Sequence, residues 1–98
     1  MSEEFCRLDK WLWAVRIFKT RSLAAEIIAK KSPRITRDGQ TLRTGKPGFK
    51  LRLGDQVTVM RARQLFVLEV LALPEKRLSA SEAQACYNDL TPKEDADA

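Results

Sequence analysis

Chemistry in this chain has to come from cations. The run Arg7-Leu8-Asp9-Lys10-Trp11-Leu12-Trp13-Ala14-Val15-Arg16-Ile17-Phe18-Lys19-Thr20-Arg21-Ser22-Leu23-Ala24 places five Lys and Arg, two hydroxyls and one carboxylate around an apolar stretch. Arg7, Lys10, Arg16, Lys19 and Arg21, with Lys30, Lys31, Arg34 and Arg37 further on, can neutralise phosphates and release condensed counterions, giving affinity largely independent of base sequence. Arginine adds a two-pronged donor geometry toward phosphate. Thr20 and Ser22 can donate hydroxyls to a phosphate or a ribose 2′-OH. Thr20 can equally accept from the first N–H groups of a helix, and the two roles are compatible. Trp11 and Trp13 admit both a base-stacking and a core reading, with Trp13 leaning to the core and Trp11 balanced.

Other chemistry finds little support. The chain has no histidine, which removes the commonest general base and metal ligand. Cys6 and Cys86 lie far apart, match no metal spacing and have no motif-level partner for nucleophilic work. Asp9, Asp38, Asp55 and Glu69 are spread over different elements, where cap, turn or ion-pair duty is expected. Gly45-Lys46-Pro47-Gly48 lacks the remaining spacing of a phosphate-binding loop. No catalytic residue, metal site or cofactor is expected.

Length and charge point the same way. Ninety-eight residues with a formal net charge of +5 make one domain. From Phe5 to Arg77 seventeen Lys and Arg face six Asp and Glu, a balance of +11, while both ends are acidic. A basic body of this kind fits a polyanion. No stretch approaches the roughly 20 apolar residues of a membrane span, and no signal-peptide pattern opens the chain. The expectation is a cytoplasmic protein with reduced thiols and no membrane partner.

The elements that must position the cations follow from periodicity. One helix is expected over 9–18, capped by Asp9, with Arg16 and Lys19 sharing its C-terminal face. A second is expected over 21–30 or 21–31, with Thr20 as cap. In it Leu23 with Ile27 and Ala24 with Ile28 form a buried stripe, Glu26 pairs with Lys30, and Ser32-Pro33 ends the helix. From Pro33 the period becomes alternating. A strand at 34–37 runs into the turn signal Asp38-Gly39, and 41–48 reads as a mobile basic loop. Residues 49–53 alternate strictly, Gly54-Asp55 turns, and strands follow at 57–60 and 65–71. Residues 79–87 suit one or two helical turns capped by Ser79 or Ser81, with Glu82 in the first turn. The acidic 93–98 is expected to be disordered. Helices first and antiparallel strands afterwards make an α+β domain. The divisions are a flexible 1–6, a binding domain at 7–77, a short helical extension at 78–91 and a disordered tail at 92–98.

The block Arg7–Trp13 followed by Phe18–Ala24 resembles the opening of the ribosomal-protein-S-four-type RNA-binding domain. Its Trp-Leu-Trp and Lys-Thr-Arg wording is similar to the heat shock protein 15 family of bacterial ribosome-associated proteins. Asp38-Gly39-Gln40, Gly54-Asp55, residues 79–87 and Asp89-Leu90-Thr91-Pro92 extend the likeness over most of the chain. The resemblance implies an α-L motif, two packed helices laid on a small twisted antiparallel sheet. It also implies structured RNA as ligand, ribosomal RNA of the large subunit in particular, and a part in rescuing or recycling stalled large subunits. By matching position it implies an RNA-facing set of Arg7, Lys10, Arg16, Lys19, Thr20, Arg21, Ser22 and Arg34 near the Asp38-Gly39 turn; Lys30, Lys31 and Arg37 join it on charge. The stretch 31–39 looks about two residues longer than is usual in relatives, Arg37 stands where an apolar residue is usual, and the long basic C-terminal extension of some relatives is not expected here. A monomer is expected. Two rival readings remain: an accessory domain serving a separate RNA-modifying enzyme, and a protein-interaction adaptor working through 79–89.

Overall fold

A computed structural model describes residues 4–92. Among them the order is β1 (Cys6–Arg7), α1 (Leu8–Ala14), α2 (Arg21–Lys31), β2 (Arg34–Arg37), β3 (Gln40–Arg43), β4 (Lys50–Leu51), β5 (Gln56–Arg61), β6 (Gln64–Val70), α3 (Ala80–Gln84) and β7 (Tyr87–Asp89). The strands form an antiparallel five-stranded sheet, β3-β2-β5-β6-β7, and a small β1-β4 pair. This is the expected α+β architecture.

Period two explains the layering. Ile35, Val57, Val59, Leu68 and Val70 face inward and join Leu8, Trp11, Leu12, Ala24 and Ile28 of the helices in one core. Each large apolar side chain among them contributes roughly 1.5–3 kcal/mol by leaving water. Trp11 is fully enclosed: its indole N–H donates to the Ala72 carbonyl at 2.9 Å and its ring meets Tyr87 edge-on at 6.4 Å. Trp13 is only half-buried, so the ranking of the two tryptophans is reversed.

Several expectations are corrected. The first helix stops at Ala14 because the chain folds back on it: Arg16 N–H donates to Trp13 O and Ile17 N–H to Leu12 O, with Arg16 left-handed at φ 67°. This is a Schellman ending in which an arginine occupies the usual glycine position. Arg16 and Lys19 therefore lie beyond the helix and share no helical face. In α2 the buried stripe is Ala24 and Ile28; Leu23 is 38% exposed. The expected loop at 41–48 begins as strand β3, joined to β2 by a two-residue turn with Asp38 and Gly39 both at positive φ. Its remainder is tied down, since Thr44 is buried and receives the Lys46 N–H. The alternation at 49–53 yields only the two-residue β4, and Leu53 is 54% exposed. Cys6, placed in a flexible terminus by the sequence, pairs with Leu51. The 78–91 extension belongs to the main body, because β7 pairs with β6.

Other elements match. Thr20 accepts from Leu23 N–H at 3.0 Å, Glu26 meets Lys30 at 3.9 Å, and Ser32 ends α2. Ser79 and Glu82 form a reciprocal capping box on α3. The disorder expected of 93–98 lies outside the described residues, and Pro92 is exposed.

Candidate nucleic-acid interface

Backbone groups, not a side chain, complete the start of α1. Leu8 N–H donates to Phe49 O at 2.9 Å and Asp9 N–H to Pro47 O at 3.0 Å. The helix leaves its orphan donors to the 45–49 segment, so Asp9 is not its cap. Its carboxylate, 5% exposed, instead receives Arg7 through both Nε and Nη2 at 3.1 Å and lies 3.6 Å from Arg21 Nη2. One buried anion thus holds two half-exposed guanidiniums, leaving a net positive charge. The hydrogen bonds that Arg7 donates to the Asp9 carboxylate push its pKa further up, so it stays charged. Gly48 closes against this pair: a Cβ there would stand 3.3 Å from Arg7 Nη1.

Beside Arg21 is the corner Lys19-Thr20-Arg21-Ser22, exposed at all four residues. Thr20 Oγ1 spends an acceptor on the cap and keeps its proton to donate outward. Lys10 lines a recess with Arg7.

The remaining candidates fall into separate groups. Lys31 and Arg34 line a shallow depression with Arg43, whose guanidinium completes the end of α2 by donating to Ser32 O at 3.1 Å and Lys31 O at 3.2 Å. Lys30 pairs with Glu26. Arg16 and Lys19 line a cleft with Arg61 and Arg77. Arg37 is clamped elsewhere. It donates from Nε and Nη2 to Asp55 at 2.8 and 2.6 Å and to Lys50 O, and stands over the Phe49 ring at 5.5 Å.

Arg43, Arg61 and Arg77 are cations that sequence reasoning does not single out. Arg43 is hidden by the loop reading of 41–48. Arg77 bonds Trp13 O and Phe18 O, 64 and 59 residues away, and no local pattern reports such a contact.

The thiols are inert by placement. Cys6 and Cys86 are buried and free, and burial pushes the pKa of each up. Among the described residues no three His, Cys, Asp or Glu gather as a metal site, and no helix is long and apolar enough to cross a membrane.

Two helices set on an antiparallel sheet, with an ordered cationic corner between them, define an α-L-type domain. Its relatives are specific. Heat shock protein 15 homologs of Haemophilus influenzae and Aeromonas salmonicida are 33% and 39% identical over 91% and 85% of this chain. The solved structure of Vibrio cholerae heat shock protein 15, described as trimeric, superposes with a TM-score of 0.73 at 35% identity, covering 88% of this chain and 82% of that one. The chain belongs to the heat shock protein 15 family. It spans 64% and 59% of the lengths of the two homologs. No protein-family model matches it.

Proposed function

We propose that this chain is a non-catalytic RNA-binding protein that recognises structured RNA, ribosomal RNA of the large subunit, and acts in the cytoplasm in the rescue or recycling of stalled large subunits. The observation that carries the reading is the Arg7–Asp9–Arg21 arrangement beside the exposed Lys19-Thr20-Arg21-Ser22 corner. Guanidiniums held by a buried carboxylate are pre-oriented, so less side-chain entropy is lost when a phosphate arrives. The carboxylate also sets a limit, because it cancels one of the two charges it organises. Lys10, Lys19, Lys31 and Arg34 then supply charge, and Thr20 and Ser22 supply neutral donors. All of these groups belong to one chain, so the reading needs no second copy.

The test is binding of an RNA hairpin, and of large subunits, across a salt series. Affinity should fall steeply as salt rises. The double variant K19Q/R21Q should flatten the log–log slope by about 1.4–1.8, since each phosphate left without its cation removes roughly 0.7–0.9. A salt-insensitive response, or an unchanged slope in a folded double variant, refutes the reading. Salt-insensitive association with a protein and no RNA affinity would favour an adaptor instead.

A further inference from the structure

Leu23 stands about 160° round α2 from Arg21, at 3.6 residues per turn. On that flank Leu23 and half-buried Ile27 wall a cleft of about 530 Å³, whose rim carries Arg16, Lys19, Arg61 and Arg77. Folding leaves an apolar side chain partly wet there, inside a ring of cations.

The manner in which those cations are fixed distinguishes them from the rest. Arg16 donates to Leu78 O at 3.2 Å, Arg61 to Ile17 O at 2.8 Å, and Arg77 to Trp13 O at 3.2 Å and Phe18 O at 3.4 Å. A carbonyl anchors a guanidinium without cancelling its charge. Among the described residues no carboxylate lies within ion-pair distance of these three or of Lys19, whereas Arg7 and Arg21 share Asp9, Arg37 has Asp55 and Lys30 has Glu26. Among the described residues the cleft is therefore lined by cations with no carboxylate partner, of which Arg16, Arg61 and Arg77 are pre-oriented. Two tight turns shape its rim, with the non-glycine residues Arg16 and Ala62 at φ 67° and 50°. The first ends α1 and the second belongs to the two-residue turn between β5 and β6.

We propose that this cleft is a second RNA contact that takes one unpaired nucleotide, its base against Leu23 and Ile27 and its phosphates beside Lys19, Arg61 and Arg77. The proposal rests on the RNA-binding reading above and adds a preference for an interrupted helix over a continuous one. A bare phosphate has no use for the apolar wall, and an apolar peptide has none for four cations. A nucleotide carries one apolar ring and one anion, and matches both. Continuity adds to this, because Lys19 both lines the cleft and opens the 19–22 corner. An unstacked base is available there only at a bulge, loop or end of structured RNA.

The experiment compares one hairpin in three forms: blunt, with a single-nucleotide bulge, and with a 3′ single-stranded extension. Each is titrated at fixed salt against the unaltered chain, Leu23→Gln and Arg16→Asn. Gln is a good helix former at an exposed position and leaves the long-range field unchanged. Asn tolerates the left-handed backbone of residue 16. The unaltered chain should bind the bulged or extended forms roughly fivefold tighter than the blunt one, a difference of about 1 kcal/mol. Leu23→Gln should abolish that preference while blunt binding stays within about twofold. Arg16→Asn should reduce the preference and its salt dependence. A preference that survives in a folded Leu23→Gln variant, or that the unaltered chain lacks, overturns the proposal and leaves the corner intact. Self-association lost in Leu23→Gln with RNA binding unchanged would assign the cleft to a second copy and overturn it equally. If no form binds with salt-dependent affinity, it is the RNA-binding reading that fails, and this proposal falls with it.

Discussion

Arg37 separates a structural cation from a ligand-facing one. Charge alone puts it in the RNA-facing set, yet its guanidinium is spent on Asp55, Lys50 O and the Phe49 ring. Asp55 is 1% exposed and accepts three bonds, two from Arg37 and one from Arg52 N–H at 2.8 Å. Arg37→Ala would leave that carboxylate buried with a backbone N–H in place of a counter-charge. Removing one partner of a buried pair costs about 3–5 kcal/mol. Arg37 is 32% exposed along its side chain, so water screens part of the loss. We expect about 2–3 kcal/mol, a large share of the roughly 5–15 kcal/mol that stabilises a domain. With a urea slope near 1 kcal/mol per molar, the midpoint should fall by about 2–3 M. RNA affinity of the folded fraction, measured at low temperature, should keep its salt slope. A variant as stable as the parent that loses nearly one unit of that slope would show Arg37 to be a phosphate ligand and refute this reasoning.

Three further outcomes are expected. Ala62 sits at φ 50°, where an L-residue costs roughly 1–2 kcal/mol and glycine does not, so Ala62→Gly should stabilise the fold by about 0.5–1 kcal/mol despite its entropy cost. Calorimetry should show a melting temperature about 3–6 °C higher, and a fall would contradict the strain. Hydrogen bonds from the Ser79 backbone and then its side chain hold the Glu82 carboxyl below its ordinary value of 4.5. Its stabilisation is therefore present above that value and lost as pH falls through the lower folded value. Thermal melts from about pH 6 to about pH 3 should show the unaltered chain losing ground to Glu82→Gln, which still caps but does not titrate; parallel curves would count against the box. Burial raises both thiol pKa values, so near pH 8 a chromogenic disulfide reagent should label Cys6 and Cys86 slowly until urea is added, and fast native labelling would be inconsistent with their placement.

Legibility followed the range of the forces involved. Thr20 as cap, the Asp38-Gly39 turn and the Ser79–Glu82 box are contacts over two or three residues, and each was readable from spacing. The end of α1 was not, because an arginine takes the left-handed position where glycine would have marked the stop. Strands β1, β4 and β7 have two or three residues each and owe their existence to partners far along the chain, so no period announces them. The site divided similarly. The 19–22 corner is visible as a cluster, whereas the spacing that marks Asp9 as a cap hides its ion pairs, because the cap duty is done by the carbonyls of Pro47 and Phe49. Arg61 and Arg77 became part of a site only through contacts spanning 44 to 64 residues.

The contact from Trp11 to Ala72 has a consequence for the order of assembly. The helices that carry the cationic corner are synthesised first, but the groups that fix Trp11, Trp13 and Arg16 come from residues 72 to 78. The sheet edge closes only when Tyr87–Asp89 pairs with β6. Loop closure of that span must precede its reward, which makes the fold a late and concerted event. A growing chain therefore carries the charges of its cationic corner long before their folded arrangement. The Lys19–Ser22 corner reaches its final setting only after residues 72 to 89 have been made.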